Sequence, residues 1–352
     1  MVDESRLNNF DLIRLAAAGQ VVLWHGIEHL HVPVPGPALW LLGSFPGVPI
    51  FFVVSGYLVS QSFHRRRSTA NYFVNRALRI FPALWLCFVV TAASIFWTHG
   101  FANAGISDLL KWMLPNLLGF AHTPWFLKTF ATGSVNGSLW TIPVELQFYL
   151  ALPLLAMFLQ RNAARWTAAF AVALVCGLIY LAWGQSAQAG QWANALSRAL
   201  PSWLYLFMAG MVLQWRSDWV ERWIEGRFFA WLTGFLAWIL LLDAVGINTV
   251  GNRASPLALL PLAGLVLAAA FSYRHLAHRL LRGHDVSYGI YLYHMPVINV
   301  LVAGAFGLDA GTLLIITLGS TLALAAISWW TIERSALALK PSWRPSTRAA
   351  TG

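Results

Sequence analysis

Residues Ser255 to Ser272 read SPLALLPLAGLVLAAAFS, a stretch with no charged side chain. About 20 mostly apolar residues cross the ~30 Å hydrocarbon core of a bilayer as a helix, so this segment is predicted to be a membrane span. Reading outward, comparable stretches recur over 11–30, 46–63, 80–99, 139–159, 166–183, 199–215, 229–244, 286–304 and 312–332. Only 10% of the 352 residues are charged, 58% are apolar and 19 are tryptophan. A soluble domain carries about 25% charged residues, so this chain cannot cover a water-facing surface. The expected fold is an all-α polytopic bundle of about ten transmembrane helices. It forms one domain over 1–335, followed by a short basic cytoplasmic tail over 336–352.

The formal charge of +10 does not point to nucleic acid, because the basic residues fall in short separate clusters without the interleaved aromatics that bind single strands. Cys87 and Cys176 both sit in apolar runs, which leaves no disulfide framework or cysteine metal site. Asp3, Glu4 and Arg14 near the start are wrong for a cleavable signal peptide, so the first helix is expected to be retained. Among the connections, 100–138 is the longest, and its Lys111–Phe120 part suits an interfacial or re-entrant helix.

Cytoplasmic loops hold the excess of Lys and Arg, and this fixes an expected orientation. With the amino terminus inside, Arg6, Arg65, Arg66, Arg67, Arg76, Arg79, Arg161, Arg282, Arg344 and Arg348 fall inside with eight others. Only Lys111, Lys128, Arg198 and Arg253 fall outside, and Arg14 lies within the first span. An odd number of spans would scramble that division, so both termini are expected in the cytoplasm.

Ionisable groups at membrane depth are expensive and mark function. In the first span Asp11, Arg14, His25 and Glu28 share a stripe. At about 1.5 Å per residue, His25 lies roughly 16 Å above Arg14, near mid-bilayer. A histidine there with a carboxylate three residues on suits a general base; a histidine bonded to a neighbouring helix without chemistry is the structural alternative. In the second span Ser55 supplies a hydroxyl and Gly56 permits close helix approach. Arg76 and Arg79, three residues apart at the inner surface, can clamp a phosphate, and Pro82 is expected to keep them near the start of the third helix. In the fourth span Glu145 lies roughly 9 Å deep, the level deduced for His25, which suggests a shared cavity. Trp140 and Tyr149 flank it, and in the ninth span Tyr291 and His294 share a face.

Two other classes compete. His25-Gly-Ile-Glu28-His29 spells H-x-x-E-H, an inverted zinc-peptidase pattern with Glu28 as base, although no third ligand is recognisable. A secondary transporter would also place His, Glu and Arg in the membrane, but no related halves with matching broken helices are apparent.

Taken in order, Asn9-Phe-Asp-Leu-Ile-Arg14 with ten residues between Arg14 and His25, Phe51-Phe-Val-Val-Ser-Gly-Tyr57, the pair Arg76 and Arg79, Ser138–Tyr149 and Ser287–Pro296 resemble the motif series of the membrane-bound acyltransferase-3 family. The resemblance covers nearly the whole chain. It implies ten core helices in a bacterial inner membrane, acetyl-CoA or another acyl-CoA as cytoplasmic donor, and a carbohydrate or glycolipid acceptor in the envelope or exported from the cell. His25 would be the essential residue, as general base or transient acyl carrier, with Glu28 or Glu145 in support. Arg14, Arg76 and Arg79 would bind the donor, while Ser55, Trp140, Tyr149, Tyr291 and His294 would polarise the carbonyl or hold sugar. Neither a metal nor nucleic acid is expected. Family members acylate sugars of lipopolysaccharide, exopolysaccharide and peptidoglycan, and some macrolides. With no eleventh helix and no hydrolase-like domain after the tenth, this chain resembles the stand-alone members.

Overall fold

The computed structural model describes residues 8–65, 68–101, 104–159, 162–184, 186, 188, 190 and 192–340. Arg6, Arg66, Arg67, Arg161, Arg344 and Arg348, which contribute to the basic asymmetry, and most of the tail 336–352 lie outside the described residues. The described residues form helices and turns with no strand. A helix stands on each of the ten apolar stretches: α1 (Phe10–His29), α2 (Gly47–Arg65), α3 (Thr69–Thr98), α4 (Thr141–Leu159), α5 (Ala163–Ile179), α6 (Leu204–Trp215), α7 (Phe228–Ala244), α8 (Pro256–Phe271), α9 (Ser287–Gly304) and α10 (Ala310–Ser328).

Fewer of them have the length and apolarity of a membrane crossing than the hydropathy reading expects. Among the described residues five segments do: Gly36–His64, Thr69–Thr98, Gly137–Leu159, Ala163–Trp183 and Ala310–Ala338. A sixth is added if Ser217–Trp223 and Phe228–Ala244, which meet at 89°, form one broken span. The shortfall has physical reasons. Helix α1 carries Asp11, Arg14 and Glu28, α9 is studded with Ser, Tyr, His and Asn, and α6 has only 12 residues, about 18 Å of rise.

The third helix differs from expectation in a way that matters for the site. It begins at Thr69, capped by Ser68, and runs for 30 residues with Pro82 in its interior. A proline removes one helical hydrogen bond and can be accommodated inside a membrane bundle. Arg76 and Arg79 therefore project from the second and third turns, too deep to share the free amides of a helix start.

Helices α1, α2 and α9 frame the centre. Asn9 ties the chain start to the α8–α9 connection: its amide nitrogen donates to the Ser272 carbonyl (2.6 Å) and its oxygen accepts from Ala277 N (2.9 Å). Gln20 on α1 clamps α2, accepting from Gly47 N at 2.8 Å and donating to Leu42 O at 3.2 Å. The segment leading into α4 is stapled to α9, with Asn136 donating to the Leu292 carbonyl (2.9 Å) and Asn299 donating to those of Ser134 and Val135 (both 2.9 Å).

Helices α2 and α6 touch backbone to backbone. A Cβ on Gly56 would fall on the Phe207 carbonyl oxygen, and one on Gly210 would fall on that of Val53. A single methyl must therefore push the two helices apart. Gly56→Ala is expected to cost about 1–3 kcal/mol, read as a lower thermal midpoint of the purified protein. Gly19→Ala, whose Cβ meets nothing within 4 Å, should leave that midpoint unchanged or raise it.

Candidate active site

The residues singled out from the sequence converge on two adjoining hollows. The first, about 760 Å³ of empty space, is lined by Arg14, Ser55, Arg76, Arg79, Glu145 and Tyr149, with apolar walls from α2 and α4. The second, about 1150 Å³, is lined by Trp24, His25, Glu28, Trp140 and the Asn248–Arg253 turn between α7 and α8. Val48 and Tyr291 line both. Helix α1 contributes Arg14 to one and Gln20, Val21, Trp24, His25 and Glu28 to the other, so the two hollows follow one another along that helix.

Beside the arginine cavity an acid that the sequence reading did not single out organises two of the three arginines. Asp285, in the connection before α9, is buried and accepts from Arg79 at 2.6 Å and Arg14 at 3.2 Å. It also bonds the Ser287 hydroxyl, and Arg14 reaches Asp11 at 3.0 Å. Burial alone would raise the Asp285 carboxyl, but the Arg79 and Arg14 charges and the Ser287 hydrogen bonds hold it down at about 2. Arg76 is placed differently. Its guanidinium lies 5.6 Å from the centre of the Tyr149 ring, and its buried Nε has no partner among the described residues. Of the three arginines expected to bind a donor, Arg14 and Arg79 already face a carboxylate, whereas Arg76 retains an unspent donor.

Glu145 and His25 do not share a cavity. Glu145 accepts from the Ser55 hydroxyl at 3.1 Å and from the Tyr149 hydroxyl, all on the arginine side. Glu28 lies on the histidine side but is exposed. The partner of His25 is a second histidine: His25 Nδ1 lies 2.9 Å from His294 Nε2, the rings nearly parallel with centroids 5.1 Å apart. The carboxylate support expected for His25 is thus replaced by His294, because equal depth on two helices does not make their side chains face each other.

Tyr291 forms the wall between the hollows with its hydroxyl fully engaged. It donates to the Ser138 carbonyl and accepts from Thr141 Oγ1 at 2.7 Å, so its proton is committed to backbone. Trp140 sits on the histidine side, its ring 5.2 Å from that of Trp203. His29 lies 6.0 Å from His25 between ring centres, and among the described residues no three His, Cys, Asp or Glu side chains gather as metal ligands.

Sequence reading missed Asp285, Trp24 and the Asn248–Arg253 turn. The available signal for Asp285 was an acid two residues before a helix start on the arginine-rich side; for the others there was none.

A family model described as an acyltransferase domain matches residues 7–332. Nodulation protein 10 of Rhizobium leguminosarum bv. viciae is 36% identical over 365 aligned positions, covering 95% of this chain and 94% of its own. The exopolysaccharide production protein ExoZ of Rhizobium meliloti is 28% identical, covering 75% of this chain and 80% of its own. The O-acetyl transferase of Shigella phage Sf6 is 31% identical over 45% of this chain and 48% of its own. No solved structure matches.

Proposed function

Because this chain belongs to the membrane-bound acyltransferase-3 family, we propose that it is an O-acetyltransferase moving an acetyl group from acetyl-CoA to a hydroxyl of an envelope or exported carbohydrate. The observation that carries the reading is the pair of hollows meeting at Val48 and Tyr291, one lined with arginines and the other with His25. Together they offer separate places for an anionic donor and a polyhydroxyl acceptor, with reaction at the shared wall. Relatives named as O-acetyl transferase and as an exopolysaccharide production protein fit the same chemistry.

In this reading the coenzyme docks in the arginine cavity from the cytoplasm, its phosphates meeting Arg76 first and its thioester pointing to the wall. The acceptor lies in the histidine cavity between Trp24 and Trp140, whose indole faces suit the apolar face of a sugar, while Glu28 and Arg253 bond its hydroxyls. His25 takes the proton of the attacking hydroxyl as that oxygen bonds the acetyl carbonyl carbon. The carbon–sulfur bond then breaks, and the departing thiolate recovers the proton from the imidazolium. The products are the acetyl ester and coenzyme A, with no net proton change on the protein. The excess of basic residues in the loops expected inside supports placing the arginine cavity on the cytoplasmic side.

Arg76→Ala tests the donor side. Loss of one charge-assisted contact costs about 1.5–3 kcal/mol, so KM for radiolabelled acetyl-CoA is expected to rise about ten- to a hundred-fold while the thermal midpoint is retained. Arg76→Lys should recover part of the loss if the contact is a point charge and little if it is a fork. An unchanged KM in Arg76→Ala would return this residue to a topology signal.

A further inference from the structure

The contacts of His294 decide which nitrogen of His25 carries a proton. His294 is fully buried on α9, and its Nδ1 lies 3.3 Å from the carbonyl oxygen of Ile290, one turn earlier. A carbonyl only accepts, so His294 Nδ1 bears the hydrogen. A neutral imidazole has one N–H, and charging this ring would bury a cation whose ring nitrogens, among the described residues, meet backbone of the preceding turn and a second imidazole but no carboxylate. His294 Nε2 is therefore a lone pair. The 2.9 Å contact between His294 Nε2 and His25 Nδ1 then requires His25 Nδ1 to donate, which leaves His25 Nε2 as the unprotonated nitrogen. The relay runs in one direction, from the His25 N–H to His294 and from the His294 N–H to the Ile290 backbone.

We propose that His294 is a positioning residue that fixes His25 in the Nδ1–H tautomer, so that His25 Nε2 presents a lone pair to the acceptor hydroxyl. The inference deepens the acyltransferase reading and rests on it for its consequence, though the tautomer itself is a property of the resting protein. A histidine without such a partner samples both tautomers, and in the Nε2–H form its outer nitrogen donates and cannot take a proton. The near-parallel stacking of the two rings, 16° between planes, adds a fixed orientation to the fixed proton. When His25 becomes an imidazolium during transfer, the lone pair of His294 remains hydrogen-bonded to the charge and stabilises it. The part a carboxylate plays for a histidine base in many hydrolases is here taken by a neutral acceptor, which suits a buried place where a carboxylate would need its own counter-charge.

Two measurements separate this proposal from the general reading. In histidine-selective ¹⁵N-labelled protein in detergent micelles, with signals assigned by loss in His25→Gln and His294→Gln, His25 is expected to show a protonated Nδ1 and an unprotonated Nε2. A His25 signal in the Nε2–H form would overturn the proposal and leave the acyltransferase reading standing. In the transfer assay, His294→Leu is expected to lower kcat about a hundred-fold or more, by analogy with loss of the tautomer-setting group of a catalytic triad, with KM for acetyl-CoA unchanged. His294→Gln, whose amide oxygen reaches the place of Nε2, should recover at least tenfold over the leucine variant. Equal rates for wild type and His294→Leu, with His25→Ala inactive, would also refute the role of His294 while keeping that of His25. No acetyl transfer by the wild-type protein with any carbohydrate acceptor would sink the broader reading alone, because the ¹⁵N result does not depend on turnover.

Discussion

His25→Ala is expected to fold, bind acetyl-CoA and fail to transfer its acetyl group, with the rate falling about 10²–10⁴-fold, the usual cost of removing a general base. The expectation follows from where the ring sits. His25 is half-buried, lines the larger hollow beside the shared wall, and is held from behind by His294. A histidine kept only for packing would give the opposite pattern on substitution: a lowered thermal midpoint and poor yield, with the surviving protein active. Three measurements on one purified variant, namely thermal midpoint, acetyl-CoA affinity and transfer rate, therefore distinguish the readings. More than about a tenth of the normal rate in a well-folded His25→Ala protein would contradict the base.

Asp285→Asn is expected to destabilise the protein by about 3–5 kcal/mol, because removing one member of a buried ion cluster strands its partners. Arg79 has the most to lose. It lies 2.6 Å from Asp285 and its side chain is 17% exposed, whereas Arg14 keeps Asp11 at 3.0 Å. A carboxyl held at about 2 in the folded protein contributes stability that is full above the unfolded value near 4 and lost as pH falls toward 2. The asparagine variant should therefore differ most from wild type at neutral pH and converge with it in strong acid. Its thermal midpoint should also rise more than that of wild type when coenzyme A is added, since phosphate would supply the missing negative charge to Arg14 and Arg79. An unshifted midpoint in Asp285→Asn would show that the two guanidinium groups are solvated well enough to stand alone.

The sequence carried the membrane character of the fold openly, because apolar runs of helical length need no three-dimensional information to be read. Of the ten spans it predicts, five or six have the length and apolarity of a crossing among the described residues. A hydropathy window does not see that α6 ends after 12 residues or that the approach to α7 turns through 89°. The start of α3 was misjudged because Asn71, Asn75, Arg76 and Arg79 make 69–79 look like a loop, when the helix turns several of these groups into the bundle. Counting residues along a helix places a side chain by its level only. Depth alone says nothing of azimuth, which is why Glu145 was assigned to His25 and stands instead with Ser55 and Tyr149. The pairing of His25 with His294 joins positions 269 residues apart, and no local pattern announces it. Asp285 stands one residue before the apolar stretch 286–304, so a charge at membrane depth does not mark it.

The wall of Val48 and Tyr291 also has an electrical meaning. Where water-filled hollows enter a bundle from opposite ends, each carries the potential of its own side inward, and the membrane voltage then falls mainly across the material between them. If the two hollows open to opposite sides, as the proposed transfer requires, the material they share is the layer holding Val48 and Tyr291. A unit charge stepping through it meets nearly the whole voltage, about 2.3 kcal/mol for each 100 mV, instead of the small share it would meet over the same distance in an undivided ~30 Å core. In the proposed transfer a neutral acetyl group would pass without that work, while an acyl group bearing a carboxylate would not. In the proposed transfer, so thin a partition would favour uncharged cargo before any pocket measures its size.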